Sequence, residues 1–222
     1  MASRDEMRRI AAESIAQGDA TGWFERFYRQ AEGDWDQVPW ADRRPNPYLV
    51  AWLRAFGASP IRKRCLVVGC GLGDDAEALA SGGFDVTAFD ISPTAIEAAK
   101  RRFPRSGVDY VVADVLQPPP GWTAAFDLIF EVFTLQVLPP EPRHAAIRSM
   151  ASLVGPGGRV FVLCRAREAD EPIGEMPWPL TRDELALFED AGLRATTVEI
   201  VLDDDETPPV RRFRAFFDRL EA

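Results

Sequence analysis

Three glycines and an aspartate carry the densest chemical information in this chain. In Cys65-Leu-Val-Val-Gly-Cys-Gly-Leu-Gly-Asp-Asp-Ala76 the glycines fall at positions 69, 71 and 73. About 20 residues further on, Phe84-Asp-Val-Thr-Ala-Phe-Asp-Ile91 carries an apolar run to Asp90, the strand, glycine loop, helix and second strand of a nucleoside site. Glycine lets the backbone turn tightly and come close to a ligand. A carboxylate at the second strand's end has lone pairs for two ribose hydroxyls.

Which nucleoside is a question of charge. The dinucleotide fingerprint requires glycine at position 74, where this chain has Asp74 with Asp75 beside it. A helix N-terminus that should receive a pyrophosphate would then carry two carboxylates. Like charges at 4 Å repel by about 4 kcal/mol in a reduced dielectric. S-adenosylmethionine (SAM) has no phosphate and carries a sulfonium cation, so an acidic loop suits it. Each aspartate alone reads equally well as an ordinary first-turn acid. Candidate cofactor residues on this reading are Gly69, Cys70, Gly71, Gly73, Asp75 and Asp90.

These residues need a frame. Helix formers run from Ser3 to about Gln17, and a second helix from Thr21 carries Trp23, Phe24, Phe27 and Tyr28 at spacings that mark a buried face. A proline-broken segment through Pro39-Trp40 and Pro45-Asn46-Pro47 leads to a helix over 47–56. After the first two strands, Ser92 caps a helix over 93–103 with proline at its first position. Strands follow at 108–114, 126–132 and 159–164, with a helix over 141–153 that ends at Gly155-Pro-Gly-Gly158. A helix near 181–190, capped by Gly192, precedes strands at 193–202 and 210–219, which flank the acidic turn Asp203-Asp-Asp-Glu206.

Alternating strands and helices predict an α/β fold: a Rossmann-like, seven-stranded, mostly parallel sheet with helices on both faces and a C-terminal antiparallel hairpin. A helical N-terminal extension over 1–58 precedes the domain at 59–222. Ligands in such sheets bind beyond the carboxyl ends of the strands, which gathers 69–73, 90–91, 114–115, 131–133 and 165–167. Asp114 can accept from an adenine amino group, or be a plain strand-end turn residue, and Ile91 and Val115 can sandwich a purine.

Composition narrows the partners. The chain has 222 residues, 46% of them hydrophobic, which is one full α/β domain with a modest extension. A net charge of −9 argues against nucleic acid, although Arg43-Arg44 and Arg211-Arg212 are local basic pairs. There is no apolar run of membrane-span length and no signal-peptide pattern, so a cytoplasmic monomer or homodimer is expected. Three cysteines without ligand spacing read as reduced thiols, and the one histidine, His144, reads as a packing or surface residue. No metal site is expected.

From about residue 60 to its end the chain resembles the class I SAM-dependent methyltransferases. The resemblance rests on VVGCGLGDD, FDVTAFDIS, VVADVL, FDLIFEVFTLQVLP and LVGPGGRVFVL, in order. Within that superfamily it looks most like the branch of thiopurine, thiol and halide methyltransferases, which includes tellurite-resistance-type enzymes. That branch has an N-terminal P-W-x4-P-x-P segment over the cofactor, matched by Pro39-Trp40 and Pro45-Asn46-Pro47, which makes Trp40 the residue to close the methyl-transfer chamber or else a core side chain. A later G-P-P-Y-like stretch corresponds to Gly174-Glu-Met-Pro-Trp-Pro-Leu180, with Trp178 in place of tyrosine. The motifs of base-modifying relatives are replaced by Glu131-Val-Phe-Thr134. The resemblance therefore implies a small-molecule acceptor.

Methyl transfer from a sulfonium asks the protein mainly to align the reactants and exclude water, and orientation is worth roughly 7–11 kcal/mol in favourable cases. No histidine base is evident, which favours a thiol, thiocarboxylate, halide or acidic phenol, with Glu131 as a candidate base and cofactor neighbour. Arg165 and Arg167 are positioned to meet an anionic acceptor or are plain surface residues, and Trp23, Phe24, Trp40, Phe133 and Trp178 are candidates for an apolar lid. An O- or N-methyltransferase of secondary metabolism and a non-catalytic SAM-binding regulator share the cofactor residues. A nicotinamide oxidoreductase stands further off because of position 74.

Overall fold

The computed structural model of the chain describes residues 4–31, 33–56, 63–204 and 206–221. The expected domain boundary at 58/59, the expected helix start at Ser3 and Asp205 of the acidic turn lie outside the described residues. The chain divides into two compact units, residues 1–114 and 115–222. Seven strands form a mixed sheet with the order β3-β2-β1-β4-β5-β7-β6.

In the first unit, α1 (Arg4–Ala16) buries Met7, Ile10, Ala11 and Ser14, the stripe of an amphipathic helix. The short α2 (Gly22–Gln30) buries Trp23, Phe27 and Tyr28, and α3 (Pro47–Phe56) starts at a proline, whose missing N–H costs nothing in a first turn. β1 (Arg64–Val68) is buried from its second residue on, as a central parallel strand must be. It pairs in parallel with β2 (Asp85–Asp90), which pairs in parallel with β3 (Asp109–Val112). Between them lie α4 (Asp74–Ser81) and α5 (Pro93–Arg102). The Ser92 side chain accepts from the Ala95 N–H at 3.0 Å, the expected cap. β3 stops two residues short of the expected end, and the Ala113 N–H still bonds the Asp90 carbonyl at 3.1 Å.

In the second unit, β4 (Phe126–Val132) runs parallel to β5 (Val154–Arg165), with α6 (Pro140–Leu153) between them. β5 starts earlier than the expected Arg159. Its glycine run joins the ladder with a register jump between Phe126↔Val154 and Leu128↔Arg159, so the expected helix-ending turn is a bulged strand start. The last helix, α7 (Arg182–Asp190), is held by a capping box between Thr181 and Glu184. β6 (Arg194–Asp203) and β7 (Val210–Asp218) are antiparallel, and β7 pairs antiparallel with β5. The expected C-terminal hairpin is therefore present. No helix among the described residues is long and apolar enough to cross a membrane.

Candidate functional site: a glycine cradle and a buried carboxylate

The cradle belongs to the first unit. Gly69, Gly71 and Gly73 all have positive φ, at 61°, 53° and 92°, so the loop after β1 uses glycine's freedom three times in five residues. Space also demands glycine at position 73 and is tight at position 71. A Cβ on Gly73 would lie 2.4 Å from the Tyr110 hydroxyl, and one on Gly71 would lie 3.0 Å from the Tyr28 hydroxyl. Tyr110 is held in place by donating to Glu77 Oε1 at 2.8 Å.

Asp90, 6% exposed at the end of β2, accepts from the Gly71 N–H through Oδ2 and from the Ser92 N–H through Oδ1, both at 2.9 Å. Burial pushes its pKa up to about 6; those N–H groups pull it down and the nearby Glu25 charge raises it. Each oxygen keeps a lone pair beyond its backbone donor, so the cradle fits a ligand that offers hydroxyl groups. Ile91 follows directly and is half-buried, as is Asp114 beyond β3.

The acids of the loop have protein partners. Asp74 takes a two-pronged contact from Arg102, at 2.6 and 2.8 Å, while Arg102 also reaches the Leu72 carbonyl at 2.6 Å. Asp75 accepts from the Asn46 N–H at 2.7 Å, and burial lifts its pKa to about 6. The repulsion that the sequence attributes to these two aspartates is thus offset at Asp74 by an arginine, and Asp75 fastens the proline segment before α3. Cys70 is half-buried; burial first, then the Asp90 charge, raises its thiol well above the usual range. All three cysteines are reduced.

α2 lies against this cradle. Glu25 accepts from Ser92 Oγ at 2.6 Å, from the Thr94 N–H at 3.2 Å and from Thr94 Oγ1 at 2.9 Å, and so places a carboxylate on the positive end of α5. The indole N–H of Trp40 donates to the Tyr28 hydroxyl at 2.7 Å. The Trp40 ring is 5.2 Å from Phe27, 5.7 Å from Tyr28, 6.0 Å from Trp23 and 6.4 Å from Phe24. Trp23 is 0% exposed and stacked on Phe24 at 3.8 Å, and its indole N–H has no partner among the described residues. Phe24 and Trp40 keep partial exposure.

The second unit holds a different carboxylate. Glu131, on β4, is 0% exposed; its Oε1 accepts from the Thr134 and Leu135 N–H groups at 2.8 and 2.9 Å. Its Oε2 has no partner among the described residues. Burial pushes the pKa up to about 7 against the pull of the two N–H donors. Phe133, two residues on, has φ +67°, an unusual conformation for a bulky residue, and the Arg212 guanidinium lies 4.4 Å over its ring.

The loop behind Glu131 is braced by a fully buried arginine. Arg143 donates to the Leu135 and Leu138 carbonyls at 3.0–3.2 Å and pairs with Glu184. Gln136 in that loop accepts the Arg165 N–H at 2.8 Å through its side chain and the Trp178 N–H at 2.7 Å through its carbonyl. Half-buried Trp178 and Arg165 are thereby brought to one place. Arg165 and Arg167, the arginines expected to greet an anion, have protein partners, and so does Arg212. Arg165 contacts Glu206 at 3.2 Å, Arg212 reaches Asp203 and Glu206 at 2.5 and 2.9 Å, and Arg167 curls onto the carbonyls of 168, 169 and 171. Arg43 and Arg211 pair with Asp36 and Glu171. Val115 is buried.

Sequence reasoning missed Glu25, Tyr28, Gln136, Arg143 and Arg212. Only Tyr28 carried a signal, its place in the aromatic stripe; the others are fixed by partners distant in sequence.

Comparison with known proteins agrees with this geometry. A methyltransferase-domain family model matches residues 65–158. The chain is 30% identical over 186 residues to a probable thiol methyltransferase 2 of Arabidopsis thaliana, covering 82% of this chain and 75% of that one. It is 31% identical over 143 residues to a ubiquinone biosynthesis O-methyltransferase of Bordetella avium, 62% of this chain and only 58% of that protein's length. The N-methyltransferase NodS of Bradyrhizobium japonicum, solved with S-adenosylhomocysteine, shares the fold at a TM-score of 0.66 and 22% identity, over 89% of this chain and 98% of that one. A glycine cradle closed by a strand-end aspartate, with relatives of this extent, makes the chain a member of the class I SAM-dependent methyltransferases.

Proposed function

We propose that the protein methylates a small thiol or another soft nucleophile. The observation that carries this reading is the 30% identity to a probable thiol methyltransferase over 186 residues; the unpartnered Oε2 of buried Glu131 adds a candidate base. A base with a pKa of about 7 is matched to a thiol, whose pKa is about 8.5, and far too weak for an aliphatic alcohol.

In this reading Gly69, Cys70, Gly71, Gly73, Asp75, Asp90, Ile91, Asp114 and Val115 hold the cofactor, with the segment ahead of residue 59 as a cover. When bound, the cofactor supplies an electrophilic methyl group on sulfonium. Asp90 orients the ribose by accepting its hydroxyls. Glu131 takes the acceptor's S–H proton on Oε2 while Oε1 stays clamped, and leaves a thiolate as the nucleophile. Phe24, Trp40, Phe133 and Trp178 exclude water, and Arg165 and Arg212 frame the acceptor side.

The same basicity suits an acidic phenol, and the ubiquinone O-methyltransferase relative makes O-methylation the second reading. Transfer of labelled methyl from SAM to a panel of thiols, thiocarboxylates, iodide, phenols and amines separates the two. Turnover of thiols, thiocarboxylates or iodide supports the first reading, and turnover only of phenols or amines moves the function to the second. Cofactor binding without turnover of any acceptor would leave a regulatory SAM-binding protein.

A further inference from the structure

The donors of the glycine loop are largely spent inside the protein. The Cys70 N–H goes to the Phe89 carbonyl at 2.8 Å, that of Gly71 to Asp90 at 2.9 Å and that of Gly73 to the Cys70 carbonyl at 3.0 Å. A bound SAM or S-adenosylhomocysteine brings an α-carboxylate, an anion that needs donors. Beside the loop sits a hydroxyl that has one to give. Tyr28 is 1% exposed, its oxygen accepts from Trp40 Nε1 at 2.7 Å, and its own proton has no acceptor among the described residues. Its oxygen lies 3.0 Å from where a Gly71 Cβ would stand, so a side chain there would press on it.

We propose that Tyr28 is a cofactor-binding residue whose hydroxyl donates to the carboxylate of the cofactor's amino-acid tail. The proposal rests on the assignment of SAM as cofactor. Burial, followed by the Asp90 charge, raises the phenol well above its ordinary pKa, so it remains an O–H donor at working pH. Glu25, three residues earlier and on the same helical face, grips Ser92 and Thr94 and holds α2 where Tyr28 can act. Trp40 then has a concrete part: its N–H occupies the phenol's lone pair and turns the proton away from the indole.

The test is calorimetric binding of S-adenosylhomocysteine and of its decarboxylated analogue to the wild type and to Tyr28→Phe, with melting curves of both proteins. The variant is expected to bind S-adenosylhomocysteine about 10-fold more weakly and the analogue unchanged, since a charge-assisted bond is lost only with the first ligand. Equal weakening toward both ligands would overturn the proposal in favour of a packing role, and unchanged affinity for both would overturn it outright. A wild type that binds neither ligand would remove the cofactor assignment and the Tyr28 role with it. A lower melting temperature does not mimic the expected result, because the two ligands are compared on the same folded protein.

Discussion

Asp90 and Glu131 are the same device set in two ways. Each is a buried carboxyl with a raised pKa, and each accepts two backbone N–H groups. Asp90 takes one donor on each oxygen, so the whole group is pinned and acts as a fixed acceptor. Glu131 takes both on Oε1 and leaves Oε2 bare. Distribution of the same two hydrogen bonds thus separates a group suited to hold from a group suited to react.

The most disruptive way to probe that contrast is to remove the brace behind Glu131. Arg143→Met should cost about 3–5 kcal/mol of stability, because it strips a buried charge from Glu184 and leaves the Leu135 and Leu138 carbonyls without their donor. Chemical denaturation would measure it, and a loss below 1 kcal/mol would mean the loop holds itself. Next comes Glu131→Gln. It should lower kcat about 10²–10⁴-fold with cofactor affinity unchanged, and flatten a kcat/KM profile that in the wild type rises with pH up to about 7. A loss that appears in cofactor affinity instead would erase the distinction from Asp90. Asp90→Asn should do the reverse, weakening cofactor binding about 10–100-fold, as expected for hydrogen bonds to a charged group.

Stability against pH gives a smaller and signed effect. Folded-state pKa values of about 6 for Asp75 and Asp90 and about 7 for Glu131 lie above the ordinary 3.8 and 4.5, so the folded chain binds these protons more tightly than the unfolded one. Their contribution is fully present below about pH 4 and is lost as pH rises through 6 to 7. Glu131→Gln should therefore stabilise the fold at pH 8, by about 1–3 kcal/mol, and not at pH 4. Smallest of all is Glu25→Gln, expected to cost about 1 kcal/mol as a weakened helix cap. Because Glu25 raises the Asp90 pKa, the variant should also move the pH midpoint of cofactor binding downward, and a midpoint that stays put would show the two acids uncoupled.

The same contrast marks what the sequence could tell. The cradle is built from neighbours: glycines at 69, 71 and 73, a cap at Ser92 and an aspartate at a strand end all act within a few residues of where they stand, so their types and spacing announce them. β4 over 126–132 and α3 over 47–56 were legible for the same reason. The surroundings of Glu131 are built across sequence. Arg143 meets Glu184, Arg165 meets Glu206, and Trp178 meets Gln136 only because separate elements bring them together. Even in the cradle, Glu25 reaches residues 67 and 69 positions away, which no local pattern encodes.

The contact between Gly73 and Tyr110 has an evolutionary reading. A single methyl group at position 73 would press to 2.4 Å from the phenol, on backbone that already disfavours any side chain. The two positions should therefore be inherited as a pair: a homologue that trades Tyr110 for a smaller residue gains room over the loop, whereas one that keeps it has glycine enforced twice. Covariation between a cofactor-loop glycine and a β3 aromatic would be the imprint of that contact across the lineage.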